Sequence, residues 1–182
     1  DGTAQMTYYG NMAPGIVMID AEPVPGTDRV LAVFSPGHGR REHAGQVVIV
    51  DQKAGPDDRG HARNISSTEM YRDPYPFSED CLLVAAGEQD RGNSLVLMDG
   101  AGRTETIYTL GEEFRRYWIH EPRPLRPRQR ERIIPTRTDP SQPTGRLLLA
   151  DVNHSRRMDG VDRGDIKKLL VLETLPKPVN HS

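Results

Sequence analysis

Short apolar runs bounded by turn residues recur along this chain. The fullest set lies in residues 68–110, TEMYRDPYPFSEDCLLVAAGEQDRGNSLVLMDGAGRTETIYTL. Asp73-Pro74-Tyr75-Pro76 reads as extended, because a residue before proline is pushed out of the α region. Phe77-Ser78-Glu79-Asp80 then reads as a turn, rich in side chains that bond their own backbone. Residues 81–86 (CLLVAA) and 94–98 (SLVLM) are apolar runs of strand length, separated by a polar loop with two glycines. A helix over 81–86 would be too short, and turn residues bound it on both sides. Asp99-Gly100-Ala101-Gly102 is a tight hairpin signal. Residues 104–108 (TETIY) alternate and are rich in β-branched residues, which suits a half-buried outer strand. Together these predict one four-stranded antiparallel unit of the kind that forms a β-propeller blade.

The same order of signals occurs earlier. Residues 16–20 (IVMID) predict a strand, and 21–24 (AEPV) occupy the place of the later Asp-Pro-Tyr-Pro. Residues 25–28 (PGTD) are a turn, 29–34 (RVLAVF) a strand, 35–45 a long loop, and 46–50 (QVVIV), closed by Asp51, a strand. A third echo is residues 145–151 (GRLLLAD), followed by a last strand over 166–173 (IKKLLVLE), which Pro176 and Pro178 close. Asp51, Asp99 and Asp151 are spaced by about 48 and about 52 residues, within the range of propeller blades. The expectation is an all-β fold of four-stranded antiparallel blades. It forms one module over residues 1–182, with units at about 13–66, 67–118 and 119–178. Three blades are too few to close a ring, since propellers use roughly four to eight. The chain therefore reads as part of a larger propeller.

Residues 121–128 (EPRPLRPR) alternate arginine with proline, which holds the backbone extended. They read as a connector across one face of the fold, with the arginines solvated or paired to local carboxylates. A nucleic-acid- or partner-binding arm is the alternative, and the formal net charge of −2 weighs against it. The 182 residues suffice for one domain, and mean hydropathy is −0.65. No apolar run approaches the ~20 residues that span a bilayer. The chain opens at Asp1 rather than methionine, so it reads as a processed or partial polypeptide, and targeting signals absent from it exclude no compartment. Its single cysteine, Cys81, excludes an internal disulfide and a c-type haem attachment site within these residues. Lying in an apolar run, Cys81 reads as a buried structural thiol.

Candidate chemistry is sparse. The loop His38-Gly39-Arg40-Arg41-Glu42-His43 holds two imidazoles and a carboxylate, common ligands for zinc or iron. His38, Glu42 and His43 are the metal candidates, and His120 and His154 could join them from other units. Their spacing matches no zinc signature, and histidines bonded to backbone or solvent are the simpler reading. Asp159, Asp162 and Asp165 lack the EF-hand pattern and read as turn residues. No Gly-x-Ser-x-Gly elbow, Walker loop or dinucleotide fingerprint occurs.

Four stretches together resemble the middle domain of the hydrazine synthase alpha subunit and its relatives. They are residues 23–51 (PVPGTDRVLAVFSPGHGRREHAGQVVIVD), 71–84 (YRDPYPFSEDCLLV), 122–135 (PRPLRPRQRERIIP) and 148–172 (LLADVNHSRRMDGVDRGDIKKLLVL). Pro76-Phe77-Ser78-Glu79-Asp80 is also similar to the repeats of TolB-like propellers, of the PD40 kind. The resemblance implies a propeller set between regions that carry c-type haem, in a periplasmic or secreted protein. Hydrazine synthase itself joins nitric oxide and ammonium into hydrazine at haem centres, and a shared middle domain does not carry that reaction with it. No cofactor is implied within this chain. The parent would hold c-type haem, with zinc or calcium as further ions, and the partners would be its other domains or subunits rather than nucleic acid. Tyr71, Tyr75 and Tyr108 are then candidate oxygen ligands to a haem held by a neighbouring domain, against the plainer reading of packing residues. Two functions in other classes stand beside the scaffold. One is a His or Tyr contribution to a haem or metal redox site; the other is a TolB-like ligand- or protein-binding propeller with a polar pocket at its channel.

Overall fold

The computed structural model describes residues 7–10, 16–37, 43–56, 58–87, 92–114, 116–128, 130, 133–149, 151–155 and 157–172. The chain divides into two units, Asp1–Thr138 and Asp139–Ser182. The first is all-β and holds two four-stranded antiparallel sheets. In the first sheet β1 (Val17–Pro23), β2 (Val30–Ser35), β3 (Gln46–Val50) and β4 (Ala62–Asn64) lie in chain order. In the second, β5 (Tyr71–Ser78), β6 (Cys81–Ala86), β7 (Ser94–Met98) and β8 (Thr104–Thr109) do the same.

The period of two along each strand decides what packs where. Leu31 pairs with Ile49 and Val33 with Val47, so these four share one face of the first sheet. Leu82 pairs with Met98 and Val84 with Val96 on one face of the second. Leu31, Val47 and Ile49 meet Leu82, Val84, Val96 and Met98 in a single buried cluster, completed by Val24 and Ile65 from the turns. The alternate residues of the first sheet, Phe34, Val48 and Val50, pack instead under Tyr8, Tyr9, Ile16 and Met18, with Tyr9 stacked on Phe34 at 5.2 Å. The first sheet is thus apolar on both faces, and one of them is the seam with the second sheet.

Glycine is required where the sheets are joined. Gly45 and Tyr71 exchange backbone hydrogen bonds of 2.9 and 3.3 Å, tying the segment before β3 to the start of β5. A Cβ at Gly45 would lie 2.1 Å from the Phe34 carbonyl oxygen. Gly102 ends the β7–β8 hairpin with a φ of 81°, and a Cβ there would meet the Ile65 carbonyl oxygen at 2.2 Å.

The blade-like units differ in places from the expected ones. Residues 16–20 and 21–24 merge into one strand, β1, with a register shift between Ile19 and Glu22. Strand β5 runs through Phe77 and Ser78, which were expected in the turn; the turn is Glu79-Asp80 alone. Strand β4 completes the first sheet from three residues with no apolar pattern. Cys81 is exposed rather than buried, because it opens β6 beside that turn, opposite Ser78. Strand β8 is exposed along its whole length rather than half-buried, since it is the sheet's outer edge.

In the second unit no strand forms among the described residues 139–149, 151–155 and 157–172. Residues 145–149, 151 and 166–172, expected as strands, are extended or irregular and have no ladder partner there. A strand needs a neighbour to pair its backbone groups, and local sequence supplies none. Leu147, Leu148, Leu149 and Leu169–Leu172 are exposed, Leu148 almost fully at 98%. The local half of the repeat is nevertheless present. Asp51, Asp99 and Asp151 each accept the N–H two residues ahead, from Lys53, Ala101 and Asn153 at 3.0, 2.9 and 2.9 Å. Each also faces an arginine, Arg29, Arg103 and Arg163 respectively.

Truncating Leu82 to alanine opens the shared cluster and should lower the unfolding free energy by about 2–5 kcal/mol. Gly45→Ala should cost about 1–3 kcal/mol through the backbone it displaces. Leu148→Ala should stay within about 0.5 kcal/mol of the parent. Urea titration of the three variants checks the order.

Candidate functional site

The edge strands that flank the seam carry the most unusual chemistry. Strand β5 is an edge strand, which is where proline is tolerated, and Pro74 and Pro76 break its ladder into three registers. At the first break Asp73 takes a left-handed φ of 47°. Strand β1 is the matching edge of the first sheet, and at its own register shift Asp20 has a φ of 53°. Aspartate tolerates this region better than most residues. The two bulges aim the two carboxyl groups at one another, since β5 lies against β1.

The Asp73 N–H donates to Asp20 Oδ2 at 3.4 Å, and both side chains line the same cavity. Asp73 Oδ2 is shielded from solvent without a hydrogen-bond partner and faces His120 Nδ1 at 3.5 Å. Glu22 on β1 pairs with Arg123. Asp20, Glu22, Asp73, Pro74, Glu121 and Arg123 line, with Ala21, a cavity of about 160 Å³. Glu121 has a φ of 40°, and among the described residues Asp20, Asp73 and Glu121 are the non-glycine positions with positive φ. Burial raises the Asp20 carboxyl above its ordinary range, and the Asp73 charge adds to this; the Asp73 N–H and His43 oppose it.

The arginine–proline segment covers this region, as a connector paired to local carboxylates should. Ile119 N–H donates to the Gly92 carbonyl at 2.6 Å, and the Arg72 guanidinium lies 5.3 Å from the Trp118 ring. Arg123 stands 5.5 Å from the Tyr75 ring while holding Glu22, and Arg126 lies 5.1 Å from Phe77.

No family model, curated protein or solved structure matches the chain. The residues themselves must therefore carry the reading. Tyr71 is half-buried against the shared core. Tyr75 sits edge-on to Phe77 at 5.5 Å, with Arg123 and Arg126 over its ring. Tyr108 is half exposed on β8, at the opposite edge of the sheet from β5. Tyr71 and Tyr75 thus lie on β5 and Tyr108 on β8, at opposite edges of one sheet. His43 is exposed and lies near Asp20; His38 and Glu42 fall outside the described residues. Among the described residues no group of three or more His, Cys, Asp or Glu is arranged to hold a metal ion. Asp162 and Asp165 bond within their own turn, the Asp162 N–H reaching Asp165 Oδ2 at 2.9 Å. Sequence reasoning passed over Asp20 and Asp73. The available signal was that each lies three residues before a proline, Pro23 and Pro76, in corresponding parts of two repeats.

A second charged group closes the far side of the seam. Arg29 donates to both carboxylate oxygens of Glu79 at 2.6 and 2.7 Å and to Asp51 at 3.2 Å, and Arg63 donates to the Gly100 carbonyl at 2.8 Å. Four aspartates are held below the ordinary carboxylate range: Asp51 first by the Lys53 N–H, Asp58 by His61, Asp99 by the Arg103 N–H and Asp139 by Ser141. A depressed folded pKa contributes stability that is present above the unfolded pKa and is lost as pH falls through the folded one. Asp99→Asn should therefore lower the urea midpoint near neutral pH, and the gap to the parent should close below about pH 4. Paired urea titrations across that range test the sign.

Proposed function

We propose that this chain is a propeller-type structural and docking module of a larger, hydrazine synthase alpha-subunit-like protein associated with c-type haem outside the cytoplasm. The observation that carries the reading is the contrast between the units. Two sheets in the first unit bury their apolar faces, whereas strand-patterned residues 145–149 and 166–172 leave theirs in solvent. Such runs of exposed large apolar residues are the raw material of an interaction site. The occupants would be other domains or subunits of the parent, and the chemistry would belong to them. The resemblance of residues 23–51, 71–84, 122–135 and 148–172 supplies the haem association and the location.

A TolB-like reading has one observation in its favour, the polar cavity between the edge strands β1 and β5. On that reading the cavity takes a polar ligand and the module recognises rather than supports. The tyrosine- and histidine-ligand reading has less behind it, because the three tyrosines are dispersed over the sheet.

Amide hydrogen exchange separates scaffold from free-standing domain. Residues 145–149 and 166–172 should exchange at least about tenfold more slowly in the full-length parent than in this chain alone, as newly paired strands do. Equal exchange in both overturns the docking reading.

A further inference from the structure

We propose that Asp20 and Asp73 form a proton-sharing pair that makes the seam between the two sheets pH-responsive, closing it more firmly in acid than at neutral pH. The proposal rests on the geometry of the seam and is independent of the scaffold reading and of any parent protein.

The two carboxyl groups come from different sheets, each at a bulge in an edge strand, and they meet where β5 lies against β1. A hydrogen bond between two carboxyl groups needs a proton on one of them; with both ionised it becomes a repulsion between like charges. The surroundings do little to offset that repulsion. Arg123 is paired with Glu22, Glu121 adds another carboxylate to the same cavity, and Asp73 Oδ2 has no hydrogen-bond donor. The imidazoles facing the pair are His120, at 3.5 Å from Asp73, and His43, near Asp20. The Asp73 N–H reaches Asp20 Oδ2 at 3.4 Å, a long contact for compensating a buried charge.

The sign follows from linkage. Burial and the Asp73 charge raise the Asp20 carboxyl in the folded chain. A carboxyl raised on folding contributes stability that is fully present below its unfolded pKa and is lost as pH rises through the folded value. This is opposite to Asp51, Asp58, Asp99 and Asp139, so the seam gains from protons that the surface turns lose by binding.

The bridge between Gly45 and Tyr71 reports on the seam, because its N–H groups join the two sheets directly. In the full chain, their exchange protection, corrected for intrinsic rates, should be greater at about pH 5 than at about pH 7.5, by roughly tenfold for each pH unit by which Asp20 titrates above about pH 5. Asp20→Asn keeps a donor in place of the shared proton and removes the charge, so its protection should no longer fall between those two pH values. Carbon-13 titration, of the unmodified chain and of Asp73→Asn, reads the Asp20 carboxyl directly. Asp20 should titrate above the ordinary aspartate range, and in Asp73→Asn it should fall back toward that range. An Asp20 carboxyl that titrates in the ordinary range, or an Asp20→Asn chain that keeps the parent's pH dependence, overturns the proposal.

Discussion

The apolar seam between the two sheets is the constraint on which the first unit depends. Leu31, Val47 and Ile49 from one sheet and Leu82, Val84, Val96 and Met98 from the other are buried against each other. Fully burying one such side chain is worth about 1.5–3 kcal/mol, and no single polar contact in the unit competes with several of them together. Everything else at the seam adjusts to that contact. Gly45 has no side chain because the backbone of Phe34 must approach it. The prolines of β5 are tolerated because the strand is an edge, free of a second ladder. The bulges they accompany give up regular pairing and turn an aspartate from each sheet toward the same cavity.

The polar groups around the seam divide by how they are satisfied. Where Arg29 forks onto Glu79 and also reaches Asp51, each carboxylate has a cation and the charges complement one another. Where Asp20 meets Asp73, two carboxyl groups line one cavity. Both arrangements join the first sheet to the second or to its own turn, yet Asp51 and Asp20 are shifted in opposite directions, the first lowered and the second raised. Arginine and proline alternate in residues 121–128 for a related reason. An extended backbone carries Arg123 to Glu22 and Arg126 to Phe77 without asking the segment to form a ladder of its own.

Much of the first unit was legible because its strands are buried on a short period and punctuated by turn residues. The runs QVVIV, CLLVAA and SLVLM coincide with β3, β6 and β7. Strand β4 was not legible, since Ala62, Arg63 and Asn64 have no apolar pattern and are recruited by the free edge of β3. Burial was misread at the ends of strands, where Cys81 opens β6 beside a turn and β8 has no neighbour on its outer side. The acid pair was hidden for a different reason. Asp20 and Asp73 lie 53 residues apart in sequence, and their contact is created by two bulges and a sheet-to-sheet packing that no local pattern encodes.

The three repeats separate local from non-local determinants of structure. Asp51, Asp99 and Asp151 make the same side-chain turn and face an arginine, although the third lies in a unit with no strand among its described residues. An aspartate turn closes within a few residues and needs nothing else. A strand closes only when a second strand presents its backbone, and an apolar face is buried only when another face covers it. Leu147–Leu149 and Leu169–Leu172 have the composition of the seam strands without either condition met. Among the described residues, what β2, β3, β6 and β7 have and these runs lack is a neighbour that supplies both the ladder and the cover.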